Sequence, residues 1–200
     1  MGRPSNTEQR RADILEAMLE VVAREGYRGA TVAAVAQEAG LNPGLLHYHF
    51  KKKLEIVVAL LERLAAAVEA RAERKLRRAG DDPQARLLAY VDAHVALGKG
   101  ADPRGVAAWV AIGAEAVREP EVAAVFQAAV EERLARLEAH FAAVRAARGE
   151  RRAGSRSDAA ATLAAIEGAY RLSAAAPDAL PKGFAAPALR RMVLGLLGEA

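Results

Sequence analysis

The 200-residue chain contains no cysteine. That excludes a disulfide scaffold, a thiolate metal site and a catalytic thiol, and it fits a reducing compartment. Aromatic residues make up only 4% of a sequence that is 52% hydrophobic, so alanine, leucine and valine dominate the apolar content. That balance favours helices and leaves little β-forming material for a sheet. No stretch approaches the ~20 apolar residues that a membrane span needs. The polar start, "MGRPSNTEQRRADILEA", lacks the apolar centre of a signal peptide. The expectation is a cytoplasmic protein with no membrane partner. Neither a nucleophile elbow nor a phosphate loop, a Ser/His/Asp spacing or a metal pair occurs, so no enzyme activity and no cofactor are expected. His47 and His49 are two apart on a helix and point to different sides, which argues against a metal there.

What is present is helical punctuation. Ile14, Leu15, Met18 and Val22 recur at spacings of three and four, giving one apolar stripe on a helix over about 7–25 that Gly26 ends. Thr31 offers a cap for a short helix over 32–39, and Gly40 closes it. Asn42 and Pro43 open another short helix, to about Phe50. A longer helix follows from Lys53 to about Arg78. Pro83, Pro103 and Pro120 each sit at a helix start, and two further helices span about 158–175 and 186–198. The fold class is therefore all-α, with about nine helices. A three-helix domain over 1–52 precedes a larger helical domain over 53–200.

The formal net charge of +4 and pI near 9.6 suit a polyanionic partner, although arginine-rich composition alone would give the same balance. The two short helices have the spacing of a helix-turn-helix, whose second helix enters the DNA major groove. Val35, Ala39, Leu41 and Leu46 should face inward. Asn42, Pro43, Gly44, His47 and Tyr48 should face outward, just ahead of Lys51–Lys53. Alone, "KKK" reads as a solvated turn; beside such a helix it suggests phosphate contact.

The run "RADILEAMLEVVAREGYRGATVAAVAQEAGLNPGLLHYHFKKKLEIVVALLE" resembles the DNA-binding domain of the TetR-type family of bacterial transcriptional repressors. The shared parts are the apolar helix ending in "EGY", the "TV…VA…AGL" helix and turn, and "GLLHYHF" with Lys53. In the larger domain, "AAIEGAY" is similar to a phrase of the subgroup that contains the choline-responsive betaine-pathway repressor; it names no ligand. The resemblance implies a homodimer on a palindromic operator in double-stranded DNA, released by a small-molecule effector. It implies that Thr31, Tyr48, His49 and Lys53 hold phosphates, and that Asn42, Pro43, Gly44 and His47 face base edges. Two departures stand out. The family usually has tyrosine at the position of His47, and a capping serine or asparagine at the position of Lys52. Val32 and Ala33 offer no polar base reader, so thymine methyl contacts and DNA shape are expected to carry much of the specificity.

Leu163, Ile166, Gly168, Leu189, Met192, Val193 and Leu196 lie on the last two helices. They read either as the chain's own core or, as the resemblance implies, as a dimer interface. Leu64, Tyr90, His94, Trp109, Ile112, Phe126 and Tyr170 read equally as effector-pocket lining or as core. Glu115 and Glu167 could meet a cationic ligand or form salt bridges. An effector would act through the fourth helix, changing the spacing of two recognition helices ~34 Å apart. The competing function is a helical dimeric interaction protein whose DNA binding is non-specific or lost; a small-molecule-binding enzyme stands further off.

Overall fold

The computed structural model describes residues 6–95, 102–151 and 153–198. Among them there are nine α-helices and no strand: α1 Asn6–Gly29, α2 Val32–Glu38, α3 Pro43–His49, α4 Lys53–Ala79, α5 Pro83–Val95, α6 Pro103–Ala116, α7 Pro120–Ala147, α8 Ser155–Ala175 and α9 Ala185–Leu196. A single 3-10 turn, Pro177–Ala179, follows α8. The proline starts expected for α3, α5, α6 and α7 all occur. As expected, helical geometry breaks at Gly26, which adopts φ 75 and ψ 175 and kinks α1. One more turn forms beyond the kink, closed by the Ala30 amide on the Gly26 carbonyl at 3.2 Å. None of the described helices is long and apolar enough to cross a membrane.

The described residues form two compact units. The first comprises the chain through Leu64 together with Arg104–Gln127; the second comprises Ala65–Pro103 and the chain from Ala128 onward. This division differs from one placed after residue 52. The start of α4 belongs with the first unit because Ile56, Val57, Leu60 and Leu61 are buried there with Ile14, Met18, Val22, Val35, Leu46 and Phe50. Helix α6 joins the same unit through charge as well as packing. Arg104 bonds Glu20 at 2.8 Å and Glu16 at 3.0 Å, and Arg63 also pairs with Glu16. The Arg63 bond, followed by the charges of Arg63 and Arg104, holds the Glu16 carboxyl below its ordinary pKa against a partial burial cost.

The second unit is built differently. Its core holds Leu87, Val91, Leu137, Phe141, Ile166, Leu189 and Val193, but a polar network runs through it. Tyr90 donates to Glu69 at 3.0 Å, and Arg136 meets Glu69 at 2.8 Å. Tyr170 donates to the His94 carbonyl at 2.7 Å. Arg133 reaches both Glu167, at 2.9 Å, and the Tyr170 hydroxyl, at 3.3 Å. Arg190 forks onto Asp92, with Nε to Oδ1 at 2.8 Å. The buried members, Tyr90, Asp92, His94, Arg133 and Tyr170, are tolerated because each finds a partner.

Candidate nucleic-acid interface

The turn between α2 and α3 closes as a Schellman motif. The Leu41 amide bonds the Ala36 carbonyl at 2.9 Å and the Gly40 amide bonds Gln37 at 3.1 Å. Gly40 takes φ 65, the left-handed conformation that this closure requires. Ala36 is fully buried, and its small side chain suits the helix crossing. Both short helices carry side-chain caps. Thr31 Oγ1 accepts the Ala34 amide at 3.1 Å, and Asn42 Oδ1 accepts the Leu45 amide at 2.8 Å. Pro43 fills the first turn, where its missing amide costs nothing.

Helix α3 therefore has two faces. Leu46 and the following Phe50 are buried, while Asn42, Pro43, Gly44, His47 and Tyr48 are exposed, Tyr48 by 70%. Ala39 and Leu41 are half-buried rather than fully inward. His49 is half-buried, and its ring meets that of Tyr48 edge to face at 5.2 Å. Lys51 Nζ lies 6.0 Å from the Tyr48 ring, so cation and hydroxyl share one patch with exposed Lys52. A Cβ on Gly44 would stand 3.4 Å from Asn42 Oδ1. The protein itself thus has room for alanine there.

Two features of this region escaped sequence reasoning. The turn ahead of α4 is tied from inside that helix, where the Glu55 carboxylate accepts the Lys51 amide at 2.8 Å. Lys53 faces inward. Its ammonium donates to the Tyr27 carbonyl and lies 3.7 Å from the Tyr27 ring centroid. Burial lowers its pKa from the ordinary lysine value, and Glu115 partly opposes the shift. Glu115, on α6, is buried and accepts from Arg28 Nε at 3.0 and 3.2 Å. Glu115 and Glu167 each form an ion pair, with Arg28 and Arg133 respectively.

The residues considered for an effector pocket fall in separate places. Leu64, Trp109, Ile112 and Phe126 belong to the first unit; Tyr90, His94 and Tyr170 belong to the second. In the first, the Trp109 and Phe126 rings meet at a tilt with centroids 4.7 Å apart, and a Cβ on Gly113 would meet Phe126 at 2.8 Å. In the second, the Tyr90 ring lies 4.6 Å from His94 and 4.7 Å from His140. His94 Nδ1 stands 3.0 Å from the Tyr90 carbonyl, an acceptor, so Nδ1 carries the proton. Burial, then the charge of Arg133, pushes the His94 pKa down to about 3. Burial also lowers that of His140. A groove of about 560 Å³ in the second unit is lined by Val95, Leu180, Lys182 and Phe184 among others, and by none of the seven expected residues. Among the described residues, no three His, Asp or Glu side chains gather as a metal site.

Of the seven residues considered for a dimer interface, Leu163, Ile166, Leu189 and Val193 are buried within the chain itself; Gly168, Met192 and Leu196 are half-buried. The outward side of α8 instead carries Ala161, Ala164 and Leu172 in line with Gly168, and that of α9 carries Gly195 near Met192. A Cβ at Gly168 or Gly195 would meet nothing within 4 Å.

Residues 14–60 match the family model described as bacterial regulatory proteins, tetR family. Residues 83–198 match the model described as BetI-type transcriptional repressor, C-terminal. The HTH-type transcriptional regulator BetI of Paraburkholderia phytofirmans is 29% identical over 113 residues, 56% of this chain and 57% of that protein. The chain thus spans little more than half the length of such curated relatives, 57% and 61% in two cases. A transcriptional regulator from Rhodococcus sp. Rha1 shares the fold at a TM-score of 0.79 and 24% identity, over 95% of this chain and 98% of that one. A protein of Saccharomonospora viridis, described as a transcriptional regulator and solved in complex with choline, superposes at a TM-score of 0.74 and 20% identity, over 96% of each chain. The chain belongs to the tetR family of bacterial regulatory proteins and carries the C-terminal region of its BetI-type transcriptional repressors.

Proposed function

We propose that the protein is a dimeric transcriptional repressor that reads an operator with α3 and is released by a small molecule bound outside the helix-turn-helix. One observation carries the DNA-reading part: a helix capped by Asn42 buries Leu46 and leaves Asn42, Pro43, Gly44, His47 and Tyr48 exposed beside Lys51 and Lys52. His47, with Asn42, Pro43 and Gly44, faces the bases. Tyr48, His49 and Thr31 hold backbone oxygens, and Lys53 reaches one only by leaving the Tyr27 carbonyl.

The dimer reading is supported by glycine placement. Glycine inside a helix costs roughly 0.5–1 kcal/mol relative to alanine. Gly168 and Gly195 have open space around them, so nothing in the protomer requires them. Close approach of a second copy along α8 and α9 does. Two copies would then present their α3 helices to the two halves of a palindrome.

The effector is assigned to the helical region beyond α3, with two alternative sets of candidate contacts: Leu64, Trp109, Ile112 and Phe126 in the first unit, or Tyr90, His94 and Tyr170 in the second. Choline, held by the Saccharomonospora viridis protein, is the first compound to test, because aromatic rings attract quaternary ammonium groups. Selection of binding sites from random duplexes by the full chain, followed by gel shift against competitor DNA, tests the function. A palindromic consensus that resists competitor supports the repressor. Salt-sensitive binding without sequence preference leaves the helical interaction protein instead.

A further inference from the structure

Arg11 lies on α1, and none of the roles above uses it. Its Nη1 donates to the carbonyl of His49 at 2.7 Å, across 38 residues of sequence. Its Cζ stands 4.0 Å from the centroid of the Phe50 ring. His49 is the last residue of α3, and its carbonyl is among those a helix leaves without an internal partner. A guanidinium there also meets the negative end of the helix dipole.

Helix α3 has only seven residues, too few to hold a helix unaided in water. Its first turn is tied by Asn42 and its middle by buried Leu46. Its last turn is tied by Phe50, whose amide bonds Leu46, and by Arg11, which holds a carbonyl and a ring with one planar group. Lysine can supply the charge and one bond but not the stacked fork.

We propose that Arg11 is a positioning residue for DNA reading. It sets the placement of the last turn of α3, and so of His47, Tyr48 and His49, and it does not itself supply a phosphate contact. This rests on the operator-reading function proposed above. It predicts a selective defect. Non-specific binding needs only cations near phosphates, whereas base readout depends on where α3 lies.

The test uses the full chain, an operator selected with the wild type and a scrambled duplex of equal length. R11M keeps the length and apolar contact but removes the donor. It is expected to weaken operator binding about tenfold, the size of a lost charge-assisted hydrogen bond. Scrambled-duplex binding and the slope of log K against log salt should stay unchanged. R11K should lose only part of the specificity ratio and should carry the test if R11M melts below the assay temperature. Unchanged operator affinity in R11K and a folded R11M overturns the proposal. A slope reduced by about one phosphate contact also overturns it, by making Arg11 a DNA contact. A wild type without any selectable operator would instead refute the DNA-reading function itself.

Discussion

The reading head and the second unit hold their helices with different proportions of near and distant ties. In the head, α2 and α3 are tied mostly by neighbours: Thr31 to Ala34, Asn42 to Leu45, and the Gly40 turn to Ala36 and Gln37, with Arg11 adding one tie across 38 residues. In the second unit, helices are tied by distant side chains. Arg190 reaches Asp92 across 98 residues, Tyr170 reaches His94 across 76, and Arg133 reaches Glu167 across 34. Local ties leave one face of a helix free, which suits recognition. Distant ties bury polar groups and make the unit sensitive to their protonation.

The largest expected effect removes a deep anchor of α3. Leu46 is fully buried, and L46A should cost ~2–5 kcal/mol of stability. Denaturant titration should show this loss together with loss of operator binding. Full stability in L46A would mean that the head is held by its caps alone.

Next comes pH. His94 is kept neutral by burial, with a pKa near 3 in the folded chain against 6.5 ordinarily. The unfolded chain therefore binds the extra proton between those values. This stability is complete above about pH 6.5 and is lost as pH falls toward 3. His140, also lowered, adds in the same direction. Melting scans should show a steep acid loss of roughly 1.4 kcal/mol per pH unit per histidine at most. H94Q should flatten it. An equal slope in H94Q would remove His94 as its source.

A smaller effect separates caps from anchors. N42A removes the bond to the Leu45 amide and should cost ~1 kcal/mol, read by urea denaturation. The smallest effect has opposite signs at two levels. G195A should stabilise the isolated protomer by a few tenths of a kcal/mol, up to ~1, while sedimentation shows a weaker dimer. A dimer of unchanged strength would break the link between Gly195 and subunit contact.

The head was legible because its signals are short-range. Capping residues, Pro43 and Gly40 lie within a few positions of the groups they serve, so "ATVAAVAQEAGLNPGLLHYHF" specifies two helices and their exposed face almost unaided. Gly26 was likewise legible as a break in helical geometry, with one more turn beyond it closed by the Ala30 amide. The interface residues of α8 and α9 were harder. Leu163, Ile166, Leu189 and Val193 carry the apolar periodicity, but periodicity finds a buried face without saying whether the chain or a partner buries it.

Helix count, boundaries and the outward side of α3 follow from the order of residues, because the responsible forces act within one or two turns. Folding alone decided that Lys53 turns to Tyr27, that Glu115 pairs with Arg28 across 87 residues, and that Arg11 grips the end of α3. A long charged side chain has many partners within reach of its stem. Which one it meets depends on packing of segments that sequence separation keeps apart.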